Sequence, residues 1–236
     1  MTASLTCTVE AATMWTSPDA PRDLDALALL DVPDLAAWTA SLSPTQRLGL
    51  HGRVDTQLAA GEPAVVIEEV DGWAYVAAPW QLSPKDERGY PGWIRRRHLG
   101  PGGAPVTPPA EIGAGADARL DFARRFIGLR YLWGGTTPRG VDCSGLVHLT
   151  FRAAGVVVPR DADAQWAAAD QVALGDEQPG DLYFFARPDG FVYHVGFVIA
   201  PGVMLHAPEG TELVEEAPVS AERRGNLVGA GRLLAP

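Results

Sequence analysis

Hydrophobic and polar positions alternate through much of the first hundred residues with the two-residue period of half-buried strands. The runs "LTCTVEAATMW", "AVVIEEV", "WAYVAA" and "GWIRRR" read as strands separated by turn signals, among them Asp71-Gly72 and Pro91. This pattern predicts a small β-barrel. Between Trp15 and Val65 lies more chain than a minimal barrel needs, including "VPDLAAWTASLSPTQRLGLHG", where Asp34 and Ser43 are placed to begin short helical turns. It reads as an enlarged loop inside the barrel, with a separate helical hairpin as the alternative.

The period changes after "GPGGAPVTPPAEIGAGAD", a stretch rich in Gly, Pro and Ala with no hydrophobic repeat. Leu120, Ala123, Phe126 and Ile127 then recur at helical spacing, with Gly128 as the stop. A second helix begins near Cys143, carries Leu146, Val147, Thr150, Phe151 and Ala154 on one side, and ends at Gly155. "GDLYFFA", "HVGFVIA", "GVMLHA" and "LVGAGRLL" follow as successive strands. Helices followed by an antiparallel sheet make an α+β domain. The predicted layout is therefore a barrel over 1–100, a linker over 101–116 and an α+β domain over 117–236.

Composition narrows the function classes. The chain of 236 residues is 47% hydrophobic and 20% charged, and it lacks the run of about 18 apolar residues that a spanning helix needs, so no membrane insertion is expected. A net charge of -10 repels polyphosphate and disfavours nucleic-acid partners; the one basic cluster, Arg95 to His98, reads as a solvated turn. Met1 to Trp15 resembles no secretory leader, which predicts a cytoplasmic protein, or an exported one if the natural N-terminus has been trimmed. The pattern does not fix the oligomeric state.

Two cysteines are present, and a Cys7 to Cys143 disulfide is not expected because they fall in different predicted domains. Cys143 lies at a helix start, behind Asp142 as N-cap, where backbone N–H groups favour thiolate and can face a developing oxyanion. From that stretch alone an inert buried cysteine is the alternative. Of five histidines, His194 opens an apolar strand after the turn "RPDG", and His206 lies on the next strand, placed to fix the tautomer of His194. His148, His51 and His98 read as surface or structural. No Cys/His pair has metal-motif spacing, and no cofactor is expected.

The segments "RYLWGGTTPRGVDCSGLV", "VVPRDADAQW", "QPGDLYFF", "HVGFVI" and "MLHA" together resemble the NlpC/p60 family of cysteine peptidases, which cleave bacterial cell-wall peptides. The resemblance implies a papain-like domain with Cys143 as nucleophile, His194 as general base and acid, and His206 as its orienting partner. It further implies that Tyr131 and Trp133 wall the pocket and that Asp142, Ser144, Arg160 and Asp161 contact substrate. Ala162 departs from the pattern, since many members carry a serine there. Upstream, "VVIEEVDGWAYV" and "GYPGWI" resemble a bacterial SH3 domain, and the combination is similar to γ-D-glutamyl-L-diamino acid endopeptidases. In these, the SH3 segment like "DERGYPGW" contributes to the pocket, which nominates Tyr90. The expected substrates are peptidoglycan-derived peptides with a free N-terminal L-Ala, and Asp142 is the expected partner of that amine. An exported hydrolase of intact peptidoglycan, with the SH3 domain as its wall-binding module, is the alternative.

Overall fold

Alternating side chains in the first hundred residues build seven antiparallel strands in this computed structural model, which describes residues 4–102, 107–209 and 213–233. The strands are β1 (Ser4–Cys7), β2 (Ala11–Trp15), β3 (Val54–Ala59), β4 (Pro63–Val70), β5 (Trp73–Ala78), β6 (Tyr90–Arg95) and β7 (Leu99–Pro101), ordered β3-β2-β6-β5-β4-β1-β7. Asp71 and Gly72 both have positive φ, 47° and 77°, as the tight hairpin between β4 and β5 requires. Met14, Leu58, Ala74, Val76 and Ile94 form the core inside this sheet.

The insertion between β2 and β3 adds a second core on the other face of β2. A 3₁₀ helix (Asp23–Leu29) precedes α1 (Leu35–Ser41) and α2 (Pro44–Leu48). Asp34 caps α1 by accepting from the N–H of Ala37, and Ser43 caps α2 in a reciprocal box with Gln46, so both anticipated helix starts are present. Trp38 is fully buried with Trp15 and Leu50, and its Nε1 donates to Asp25 at 3.0 Å. The insertion is thus packed into this unit and is not a free-standing hairpin.

The basic cluster differs from the solvated turn expected. Arg96 to His98 form a 3₁₀ helix, Arg96 pairs with Glu69, Arg97 pairs with Asp31, and His98 is buried with Nε2 2.7 Å from the carbonyl of Leu30. Burial wins there because the insertion supplies that carbonyl.

Contacts divide the chain into Met1–Val106 with Leu132–Val141, and Thr107–Tyr131 with Asp142–Pro236. The segment Leu132–Val141 carries β8 (Thr136–Thr137) and β9 (Gly140–Val141) and belongs to the first unit. Trp133 Nε1 donates to the Val54 carbonyl at 2.9 Å, Thr136 Oγ1 to the Gln57 carbonyl at 2.9 Å, and Arg139 pairs with Glu10. These are long-range bonds that no local periodicity encodes.

At Gly89, φ is 126° and an added Cβ would lie 2.1 Å from the Ala78 carbonyl oxygen. Backbone cannot yield there as a flexible side chain would. Gly89→Ala is therefore expected to lower unfolding free energy by about 2–4 kcal/mol, measured by urea denaturation.

The second unit contains α3 (Ala116–Arg124), α4 (Cys143–Ala153), α5 (Ala162–Ala168) and α6 (Ala221–Arg224). Its antiparallel sheet comprises β10 (Asp170–Val172), β11 (Leu182–Ala186), β12 (Val192–Ala200), β13 (Val203–His206), β14 (Glu215–Pro218) and β15 (Leu227–Arg232), in the order β10-β15-β11-β12-β13-β14. The short strands β10 and β14 and the helices α5 and α6 are additions to the elements read from the sequence. Helix α4 packs on β12, with Phe151 stacked on Phe197 at 6.4 Å between centroids. It is buried nearly all round, so His148 is an interior residue and not a surface one. Glu111 and Ile112 both donate backbone N–H to the Ala153 carbonyl, satisfying an acceptor at the end of α4. No helix among the described residues is long and apolar enough to cross a membrane.

Candidate active site

Helix α4 starts where it does because Asp142 caps it: its Oδ1 accepts from the Gly145 N–H at 2.6 Å, leaving Cys143 as the first helical residue. The Cys143 thiol is buried and lies 3.9 Å from the Tyr193 carbonyl oxygen, and the Val195 backbone also bears on it. The two backbone groups flank His194 in sequence, which fixes the edge of β12 that the sulfur faces.

His194 and His206 come from adjacent antiparallel strands and are each 2% exposed. Nε2 of His194 lies 2.9 Å from Nδ1 of His206, with the rings nearly perpendicular at 82°. Gly196 makes this approach possible. A Cβ at Gly196 would lie 2.8 Å from Cβ of His206, so a larger residue would force the second ring away. The "HVG" triplet carried that signal in the sequence, and sequence reasoning passed over it.

Protonation differs from the expectation of a thiolate promoted by the helix start. Burial pushes the Cys143 thiol up to about 12 with Asp142 adding to the effect, against weaker opposition from Val195 and Ser144 backbone donors and Arg160. Burial likewise holds His194 well below its usual range, helped by His206 and Arg223, and brings His206 down to about 3. Desolvation outweighs the helix terminus because the sulfur and both rings are buried. Burial thus favours neutral thiol and neutral imidazole at rest, which suits proton transfer from the thiol to His194 during attack.

A buried network fixes the helix start. Arg160 grips Asp142 through two parallel bonds, Nη1 to Oδ1 at 3.0 Å and Nη2 to Oδ2 at 2.6 Å, and Nη1 also donates to Ser144 Oγ at 3.0 Å. Ser144 Oγ in turn lies 3.3 Å from Asp142 Oδ1. Gln165, which sequence reasoning missed, donates to the carbonyls of Ser144 and Pro159 and ties α5 to the start of α4. Its position four residues after Asp161 was the available signal, because α5 starts there.

The remaining nominated residues separate. Tyr131 is buried in the second unit, and its hydroxyl is held well above its ordinary range by burial first and then by the charges of Cys143 and Asp142. Asp161 is the backbone N-cap of α5, and Ala162 is the buried first residue of that helix. Trp133 and Tyr90 belong to the first unit. Trp133 packs against His51 with tilted rings whose centroids are 3.7 Å apart, and Tyr90 Oη lies 2.6 Å from Lys85 Nζ. Both cysteines are free, and among the described residues no group of three or more His, Cys, Asp or Glu is placed to hold a metal ion.

Comparison with known proteins adds the following. A model described as the NlpC/P60 family matches residues 128–230, and one described as the bacterial dipeptidyl-peptidase Sh3 domain matches residues 49–99. The γ-D-glutamyl-L-lysine dipeptidyl-peptidase of Bacillus subtilis (strain 168) is 29% identical, over 86% of this chain and 90% of that protein. The protein of the same name from Bacillus cereus (strain ATCC 10987 / NRS 248) is 28% identical, over 90% and 85% respectively. The crystal structure of an NlpC/P60 family protein from Bacillus cereus ATCC 10987 superposes with a TM-score of 0.91 at 25% identity, covering 98% of this chain and 100% of that one.

Proposed function

With an NlpC/P60 cysteine peptidase domain set behind a bacterial SH3 domain as the premise, we propose that this chain hydrolyses the γ-D-glutamyl-L-diamino acid bond of peptidoglycan-derived peptides bearing a free N-terminal L-Ala. The observation that carries this reading is the buried pairing of His194 Nε2 with His206 Nδ1, with the Cys143 thiol set against the β12 backbone on either side of His194. Near-full-length similarity to two γ-D-glutamyl-L-lysine dipeptidyl-peptidases supports the substrate class. A dipeptidyl-peptidase releases two residues counted from a free amino end, which favours short soluble peptides over glycan-linked wall.

Nε2 of His194 is engaged by His206, so Nδ1 is the atom left to take the thiol proton. As the proton moves there, Cys143 Sγ bonds to the γ-carbonyl carbon of D-Glu, and backbone N–H groups at the start of α4 stabilise the oxyanion. His194 then returns the proton to the departing amine of the diamino acid as the C–N bond breaks. Water, deprotonated by the same ring, releases L-Ala-D-Glu from the thioester and restores the thiol. Asp142, held rigid by Arg160, and Ser144 are assigned to the acyl side of the substrate. Arg160 acts by positioning both.

The test incubates L-Ala-γ-D-Glu-L-Lys, and separately purified sacculi, with the protein and with Cys143→Ala, and reads products by mass spectrometry. L-Ala-D-Glu and free lysine are expected from the peptide, with a loss of about 10⁴-fold or more in the variant. Cleavage of sacculi alone, or peptide cleavage that survives Cys143→Ala, overturns the reading.

A further inference from the structure

The mechanism uses one nitrogen of His206 and leaves the other unaccounted for. That other atom, Nε2, lies 3.3 Å from Oε1 of Glu215, the residue directly opposite His206 in the β13–β14 register. The ring is 2% exposed while the glutamate side chain is 51% exposed, so the carboxylate stays in contact with solvent while reaching a buried partner. The Glu215 contact falls on the atom that decides a tautomer.

Resting on the reading above, we propose that Glu215 is a positioning residue of the histidine pair. Its carboxylate accepts Nε2–H of His206, which leaves Nδ1 of His206 as the acceptor for Nε2–H of His194 and Nδ1 of His194 bare to receive the thiol proton.

The alternative tautomer shows why this matters. Two neutral imidazoles joined Nε2 to Nδ1 can share their proton either way. If His206 carried its proton on Nδ1 and donated, Nε2 of His194 would be the acceptor and Nδ1 of His194 would already hold a proton. A ring so arranged has no lone pair to offer the thiol. An acceptor at His206 Nε2 selects the productive arrangement, and a carboxylate is a strong one. Charge supports the same assignment. Arg223 on α6 bears on both rings and opposes the imidazolium that forms on His194 during attack; Glu215 is the acidic residue set against His206 on the side away from His194. Glu215 touches neither sulfur nor, on this assignment, substrate, so it should act on turnover and not on binding.

The experiment compares Glu215→Leu and Glu215→Gln with the unsubstituted protein. Imidazole ¹⁵N–¹H correlation spectra, which need no substrate, read the tautomers; steady-state kinetics on L-Ala-γ-D-Glu-L-Lys read function. His206 is expected as the Nε2–H tautomer in the unsubstituted protein and in Glu215→Gln, whose amide oxygen still accepts, and as a mixture in Glu215→Leu. The kcat of Glu215→Leu should fall about 10-fold or more with KM changed less than about 2-fold, and Glu215→Gln should recover most of the loss. Because position 215 is half exposed, folding is not at stake, and unchanged thermal unfolding verifies it. A His206 that stays Nε2–H in Glu215→Leu, or a kcat indifferent to that substitution, overturns the proposal. If the peptide is not cleaved at all, the functional reading fails, while the spectra still decide whether Glu215 sets the tautomer.

Discussion

Arg160→Met is expected to lower the unfolding free energy by about 3–5 kcal/mol, because it leaves the Asp142 carboxylate buried without its cation. Both partners are nearly inaccessible, with side chains 1% and 8% exposed, so water cannot replace the two guanidinium bonds. The loss should be larger than the net worth of the pair, since most of it is the penalty of an orphaned charge. Arg160→Met combined with Asp142→Asn tests this directly. Asparagine can still cap α4 through its side-chain oxygen without carrying charge, and the double variant should recover more than half of the single variant's loss in urea unfolding. A single variant within about 1 kcal/mol of the parent, or a double variant no better than the single, would exclude a buried ion pair at the helix start. Activity should fall in both variants, because Asp142 and Arg160 hold Ser144 and the first turn on which the thiol sits.

How much of this site was legible in sequence follows from the range of the interactions that build it. Cys143 behind Asp142 is a local cap signal, and it places the nucleophile at a helix start without any tertiary knowledge. His194 and His206 stand on consecutive strands of a hairpin, so their neighbourhood could also be anticipated; their 2.9 Å contact depends on Gly196, whose missing side chain is a packing fact. The motif around Arg160 gives no hint that its guanidinium folds back onto Asp142. The docking of Leu132–Val141 into the first unit was illegible for the same reason, since its bonds run to Val54 and Gln57 about eighty positions upstream. The balance of effects on the thiol is not local. Helix-terminus and imidazole effects are visible as sequence neighbours, whereas the desolvation that outweighs them exists only once α4 is closed in on all sides.

Acidification should destabilise the second unit steeply, starting near pH 6.5 and well before carboxylates titrate. His148, His194 and His206 are each at most 2% exposed, and burial is the leading cause that holds all three below the ordinary histidine value. In the unfolded chain each takes up a proton as pH falls through about 6.5, whereas in the folded unit each stays neutral, His206 down to about 3. The unfolded state therefore binds more protons, and unfolding free energy rises with pH across this window: the stability is fully present above about pH 7 and is lost as pH falls. One such histidine whose folded-state value lies well below this window loses about 2 kcal/mol between pH 7.5 and pH 5, so several together remove a large fraction of a typical domain's stability. Urea unfolding at pH 7.5, 6 and 5 measures this, and His206→Asn should reduce the pH slope by about one third while leaving the window in place. High salt should leave the slope nearly unchanged, since desolvation is not screened as surface charge is. Stability that stays flat from pH 7.5 to 5 would mean that the rings carry protons in the folded state, and the general-base step assigned to His194 would then have to start from an ion pair.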